Sequence, residues 1–232
     1  MTVTALLSGG KDSLYSAYLA DAQAREVEEL LTIHPSDPDS YLYHTPNLEL
    51  VALQARAWGK RHRTVRIAGS GEKAEEWALK EALSGDHGWV IAGAIASSYQ
   101  WSRLSRVCFE LGRPLFTPLW GKDPERVVRE EIAAGLDIRL IHLAAEPLTP
   151  ELAGRRLDEA LLSELLRRSR TVRPLHVAGE GGEYETLVVD APFFRERIVW
   201  DRAELTRGTS TTRFEPVGAR LEPKGAVRTE QV

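Results

Sequence analysis

The chain has 232 residues, 43% of them hydrophobic and 28% charged, with a formal net charge of −4. That length suits one large domain, or a domain with a small appendage, around a sizeable core, and the acid excess argues against a protein built to lie on nucleic acid. The longest apolar run, residues 89–96, falls far short of the ~20 residues of a membrane span, and a single cysteine, Cys108, excludes an internal disulfide and a Cys-cluster metal site, which together read as a cytoplasmic protein.

In chain order, residues 2–7 read as a buried strand and 12–25 as a helix. A second strand at 28–33 is followed by a loop rich in Pro, Ser and Asp, a helix over 47–58 and a third strand at 64–68. The pattern continues with helix 71–84, strand 89–95, helix 98–111, a short strand near 114–116, helix 123–134 and strand 137–143. Such alternation predicts a parallel sheet with helices on both faces. The character changes after Pro150, where Leu152, Leu157, Leu161, Leu162, Leu165 and Leu166 suggest one amphipathic helix before short β-like runs. The expected division is therefore 1–145 for a nucleotide-binding domain and 146–232 for a smaller C-terminal α+β subdomain.

The first strand runs into Ser8-Gly9-Gly10-Lys11-Asp12-Ser13 and then a helix. Consecutive backbone amides in such a turn can wrap an anion, and the helix N-terminus adds its positive dipole end. Ser8 and Ser13 add hydroxyl donors, and Lys11 a charge. A Walker A loop would need Gly at position 5 and Ser or Thr at 12, where this chain has Ala5 and Asp12. An aspartate in a phosphate loop makes sense when a cation shares the site, so Asp12 is the candidate Mg²⁺ ligand.

A second stretch, "GEGGEYET" over 179–186, crowds Glu180, Glu183 and Glu185 around Gly181, Gly182 and Tyr184. Its glycines suggest a sharp bend or a close backbone approach, and an acidic surface turn is the alternative. The "GSGEKA" of 69–74 fits a dinucleotide fingerprint but lacks the acidic residue after the next strand that would hold a ribose. The six histidines show no ligand spacing.

SGGKDS is the signature of the PP-loop ATP pyrophosphatases, and "SYLYHTPN" (40–47), "GAIASSYQWSRL" (93–104), "PLW" (118–120) and "GEGGEYETLVVDAPFF" (179–194) together resemble the diphthine–ammonia ligase family. The resemblance implies a five-stranded parallel sheet of order 3-2-1-4-5. It implies amidation of diphthine on elongation factor two with ATP and ammonia, giving AMP and pyrophosphate. It assigns Ser8, Gly9, Gly10, Lys11, Ser13, Gly93 and Ala94 to the nucleotide, and Lys11, Asp12, Glu183 and Glu185 to catalysis. His44, Gln100, Arg103, Gly181, Gly182 and Tyr184 fall to the substrate. Diphthine carries a trimethylammonium, for which the Tyr184 ring offers a cation–π partner. Another adenylating ligase and an idle nucleotide binder are the alternatives; neither a nucleic acid nor a membrane is an expected partner, and a homodimer is left open.

Overall fold

Thr4, Ala5 and Leu7 are all buried, as a strand covered on both faces requires. They put β1 (Thr4–Leu6) at the middle of a parallel sheet with β2 (Glu29–His34), β3 (Arg61–Arg66), β4 (Val90–Ile91) and β5 (Leu115–Phe116). The order is β3-β2-β1-β4-β5, as expected. The computed structural model describes residues 1–34, 50–67, 71–171 and 174–225. Among these, no helix is long and apolar enough to cross a membrane.

Helices cover both faces. On one side α1 (Lys11–Ala22), α2 (Val51–Trp58) and α5 (Pro124–Ala133) bury Leu14, Val51, Ala55, Val127 and Val128 in one core. On the other, α3 (Glu72–Leu83) and α4 (Ser98–Glu110) bury Leu79, Leu83, Leu104, Val107 and Cys108 in a second. Each large aliphatic side chain so buried contributes about 1.5–3 kcal/mol. The third strand starts three residues earlier than its apolar pattern suggests. As an edge strand it pairs along all of β2 while its basic side chains reach outward, and Arg63 bonds Glu29 at 2.9 Å. Charge on an edge strand of this kind blocks sheet-to-sheet association.

A second, antiparallel sheet of order β7-β6-β10-β9 joins β6 (Asp137–Leu143), β7 (Tyr184–Asp190), β9 (Arg202–Arg207) and β10 (Thr212–Val217). Strand β8 (Glu196–Val199) pairs separately with β11 (Arg220–Pro223). The change of sheet thus falls between β5 and β6, ahead of the change in sequence character near 145. The leucine-rich segment is also split. Leu152 belongs to a 3₁₀ turn, Pro150–Leu152, and helix α6 spans Glu159–Thr171. Between them Gly154 has φ +80°, and a Cβ there would lie 2.5 Å from the Phe214 ring, so the chain must leave the helix to pass under β10.

Gly93 sets the depth of the junction between the β4 exit and α1. A Cβ at Gly93 would sit 2.6 Å from the Ser13 nitrogen and 2.7 Å from the Asp12 carbonyl carbon, both backbone atoms. Gly93→Ala must push α1 away from β4, and overpacking of this kind costs about 1–3 kcal/mol. Urea unfolding should show a lower midpoint at unchanged slope; an unchanged midpoint would mean that the junction is loose.

Candidate active site

The turn from β1 to α1 is held by its own serines. Ser13 Oγ receives the Ser8 amide at 3.2 Å, lies 3.1 Å from Ser8 Oγ and donates to the Gly10 carbonyl at 3.1 Å. Gly9 adopts φ +89°, and a Cβ there would come within 3.0 Å of Val51; both conditions call for glycine. Helix α1 starts at Lys11 with no side-chain cap from Gly10; the Leu14 amide donates to the Gly10 carbonyl and the Lys11 amide crosses to the second sheet, which leaves the amides of Asp12 and Ser13 for a ligand.

The second sheet supplies the opposite wall. The Val188 amide donates to the Gly9 carbonyl at 3.1 Å, and the Lys11 amide donates to Thr186 Oγ1 at 3.1 Å. From α2, Gln54 Nε2 donates to the carbonyls of Gly9 and Val188 at 2.8 and 2.7 Å. A cavity opens between these walls. Ser8, Gly10, Asp12, Ser13, Gly93, Ala94, Gln100 and Arg103 line it from the first sheet, and Glu180, Gly182, Tyr184, Glu185 and Thr186 from the second. Leu6, Leu31, Ile33, Leu79 and Leu104 form an apolar recess at one side. It lies at the carboxyl ends of parallel strands where the order reverses, the usual ligand position in open α/β sheets.

Most of the predicted residues therefore converge, while several take other positions. Lys11 does not line the cavity. Its ammonium is buried, 2.6 Å from Asp12 Oδ1 and 3.7 Å from Glu131 Oε2 on α5. Burial works against its charge, but the two carboxylates outweigh that and hold its pKa above the ordinary lysine value. Burial raises the Glu131 carboxyl well above the usual range, even against the attraction of Lys11. Asp12 faces the cavity with its side chain 24% exposed. Because it is also the close partner of a buried ammonium, its loss would disturb the fold as well as the site.

Tyr184 is 3% exposed, and its hydroxyl donates to the Val177 carbonyl. The ring supports the 176–183 loop from beneath and leaves no open face for a trimethylammonium, which corrects the cation–π expectation. Burial raises its phenol above the ordinary tyrosine value. Glu183 also serves the loop: its two oxygens accept from the His176 and Gly181 amides, each at 2.9 Å. It lies on a second, adjoining cavity, which Gly181 and Gly182 also line. Of the three glutamates, Glu185 and Glu180 face the first cavity. Glu185 lies 3.7 Å from His142 Nδ1. His44 lies outside the described residues.

Gln54, Thr186, Glu131 and Glu180 were not assigned from the sequence. Gln54 is the one polar residue in the apolar stretch "VALQ", and Glu131 falls on the buried face of α5 with Val127 and Val128. A polar residue in line with an apolar stripe was the available signal in both cases.

Two family models match the chain: "Diphthamide synthase N-terminal domain" over residues 1–114 and "Diphthamide synthase C-terminal domain" over residues 123–211. Among curated proteins, a diphthine–ammonia ligase of Rattus norvegicus is 34% identical over 257 residues, covering 97% of this chain and 94% of that protein. One of Homo sapiens is 32% identical, covering 94% and 89%. One of Schizosaccharomyces pombe is 34% identical over 90% of this chain, which spans 38% of that longer protein.

The two loop glutamates can be told apart by experiment. Glu183→Gln should loosen the 176–183 loop, since hydrogen bonds to a charged acceptor are worth about 1.5–3 kcal/mol when sheltered and less at a half-exposed site. Hydrogen exchange at the His176 and Gly181 amides should accelerate in this variant and stay unchanged in Glu185→Gln. Equal protection in both would show that Glu183 does not brace the loop.

Proposed function

The chain belongs to the diphthamide synthase family, and on that premise we propose that it catalyses ATP-dependent amidation of diphthine on elongation factor two. One observation supports this most strongly. SGGKDS and GEGGEYET, 166 or more residues apart in sequence, form facing walls of a single cavity, joined at Lys11 and Thr186. A turn suited to phosphates and a wall suited to a second substrate meet where an acyl group and a nucleotide must react.

In this reading the acceptor carboxylate attacks the α-phosphorus of ATP, pyrophosphate leaves along the loop, and ammonia then displaces AMP to form the amide. Ser8, Gly9, Gly10, Ser13 and the first turn of α1 hold the phosphates, as backbone amides at a helix N-terminus do. Gly93 and Ala94 flank the nucleotide, whose base suits the apolar recess of Leu31, Ile33 and Leu79. Gln100 and Arg103 approach the reacting phosphoryl or acyl group from α4. Lys11 acts through Asp12, fixing the carboxylate at the cavity edge, and Gly181 and Gly182 let the loop come close to the acceptor. Glu185 is the carboxylate placed to orient ammonium or the acceptor, with His142 behind it.

Mg²⁺ fits this donor set, because the ion is commonly held by one or two carboxylates together with substrate phosphates. Asp12 would hold it, and its chemistry there is neutralisation of phosphate charge. Ammonia enters from outside the chain: Cys108 is buried on α4 with its thiol pushed up to about 11 by burial, which suits packing and not glutamine hydrolysis. Elongation factor two as partner and a cytoplasmic site of action belong to the same reading.

The test is incubation with ATP, ammonium and elongation factor two bearing diphthine, followed by mass spectrometry of the protein and chromatography of the nucleotides. Amide and AMP should appear in equal amounts. Glu185→Gln should lower amide formation about 10²–10⁴-fold, the usual cost of removing a catalytic charge, with ATP affinity kept within a few-fold. ADP as the sole nucleotide product would overturn the assignment.

A further inference from the structure

Glu180 crosses the cavity mouth. It stands on the 176–183 loop, yet its Oε2 accepts from the Ala96 and Ser97 amides, at 3.0 and 3.1 Å, where β4 gives way to α4. Two successive backbone amides directed at one oxygen are the arrangement by which proteins bind phosphate or carboxylate oxygens.

A second group on the same cavity points to an anion. Arg103 is 8% exposed and lines the cavity. Its Nη2 pairs with Glu72, while Nη1 is buried and makes no hydrogen bond among the described residues. Helical side chains lean toward the N-terminus, and the guanidinium lies over the Tyr99 ring, 4.1 Å from its centroid. That brings the cation back over a first-turn side chain of α4, on the cavity that Glu180 also lines. A buried guanidinium nitrogen with no acceptor is costly unless one arrives.

The contact can open at the Glu180 side chain alone. Glu180 is only half-buried. The loop around it is braced at other points, by the Glu183 carboxylate on the His176 and Gly181 amides and by the Tyr184 hydroxyl on the Val177 carbonyl, so the Glu180 carboxylate can swing off its two amides while the loop stays in place.

We propose that the Ala96 and Ser97 amides and Arg103 form an oxyanion site, and that Glu180 occupies it as an internal stand-in until an anionic group of a substrate displaces it. The inference rests on the reading that this cavity takes ATP and an acyl acceptor. The shared chemistry is a phosphoryl or carboxylate oxyanion. A stand-in competes with the ligand, so apparent affinity falls by the fraction of molecules in which the site is open.

Isothermal titration with pyrophosphate, AMP and trimethylglycine separates the leaving phosphates, the α-phosphate and the acceptor's carboxylate as sources of that oxyanion. In Glu180→Gln and Glu180→Ala, at least one of the three should bind about five- to tenfold tighter than in the unsubstituted chain. Glu76→Gln, a carboxylate on the same cavity, controls for the general loss of negative charge and should leave affinities unchanged. Unchanged or weaker binding of all three probes in both Glu180 variants would overturn the proposal and mark Glu180 as a fixed tie. An equal gain in Glu76→Gln would overturn it too. If Glu180→Ala does not fold, Glu180→Gln decides alone. The titrations need no turnover: tighter binding without amide formation sinks the proposed reaction and spares this site, and amide formation without tighter binding does the reverse.

Discussion

The carbonyl of Gly9 receives two hydrogen bonds, one from the Val188 amide and one from Gln54 Nε2. The same Gln54 nitrogen reaches the Val188 carbonyl, so one buried side chain from α2 stitches the tightest turn of the first sheet to a strand of the second. Gly9 is at positive φ, a conformation that a side chain would strain, and it is held there from outside the turn. The rest of the site inherits its geometry from this joint. It determines how far Thr186 stands from Lys11, how deep the cavity is and which residues of the second sheet face the loop.

Beneath the joint lies a compact charge arrangement. Lys11, Asp12 and Glu131 come from the turn and from α5, and α5 packs on the same side of the sheet as α1. A buried ammonium is tolerable only when paired. Here the pairing orients Asp12, the one member that reaches the cavity. The loop lysine thus acts as internal scaffolding in this structure, and the amides and hydroxyls are what the turn presents to a ligand.

Much of the architecture could be read directly from periodicity. Strand–helix alternation indicated a parallel sheet with flanking helices, because a two-faced buried strand and an amphipathic helix each leave a distinct pattern, while the count of five and the strand order came from the family resemblance. Boundaries were less legible. The third strand begins in "RHR", residues whose strand character comes from edge position and not from hydrophobicity. Strand 137–143 looks like the next member of the parallel series, and only its partners, β7 and β10, reveal that it belongs to the other sheet. At the site, residue types marked the correct segments but could not say which way each side chain points. Glu183 and Glu185 are two residues apart, yet one braces its own loop and the other faces the cavity. Tyr184 looked like a recognition aromatic and is a buried support. Nothing local distinguishes these outcomes, since each depends on contacts made by a distant part of the chain.

Those distances bear on the order in which the molecule is assembled. The bond from the Lys11 amide to Thr186 spans 175 positions, and the Gln54 bond to Val188 spans 134. Contacts that close such long loops carry an entropic cost and form late. During synthesis the turn over Ser8 and Gly9 is made long before β7 and remains without its fastening to the second sheet until β7 follows. An early part of the site is therefore completed by a late one, and a nascent chain cannot present the finished cavity before β7 is in place.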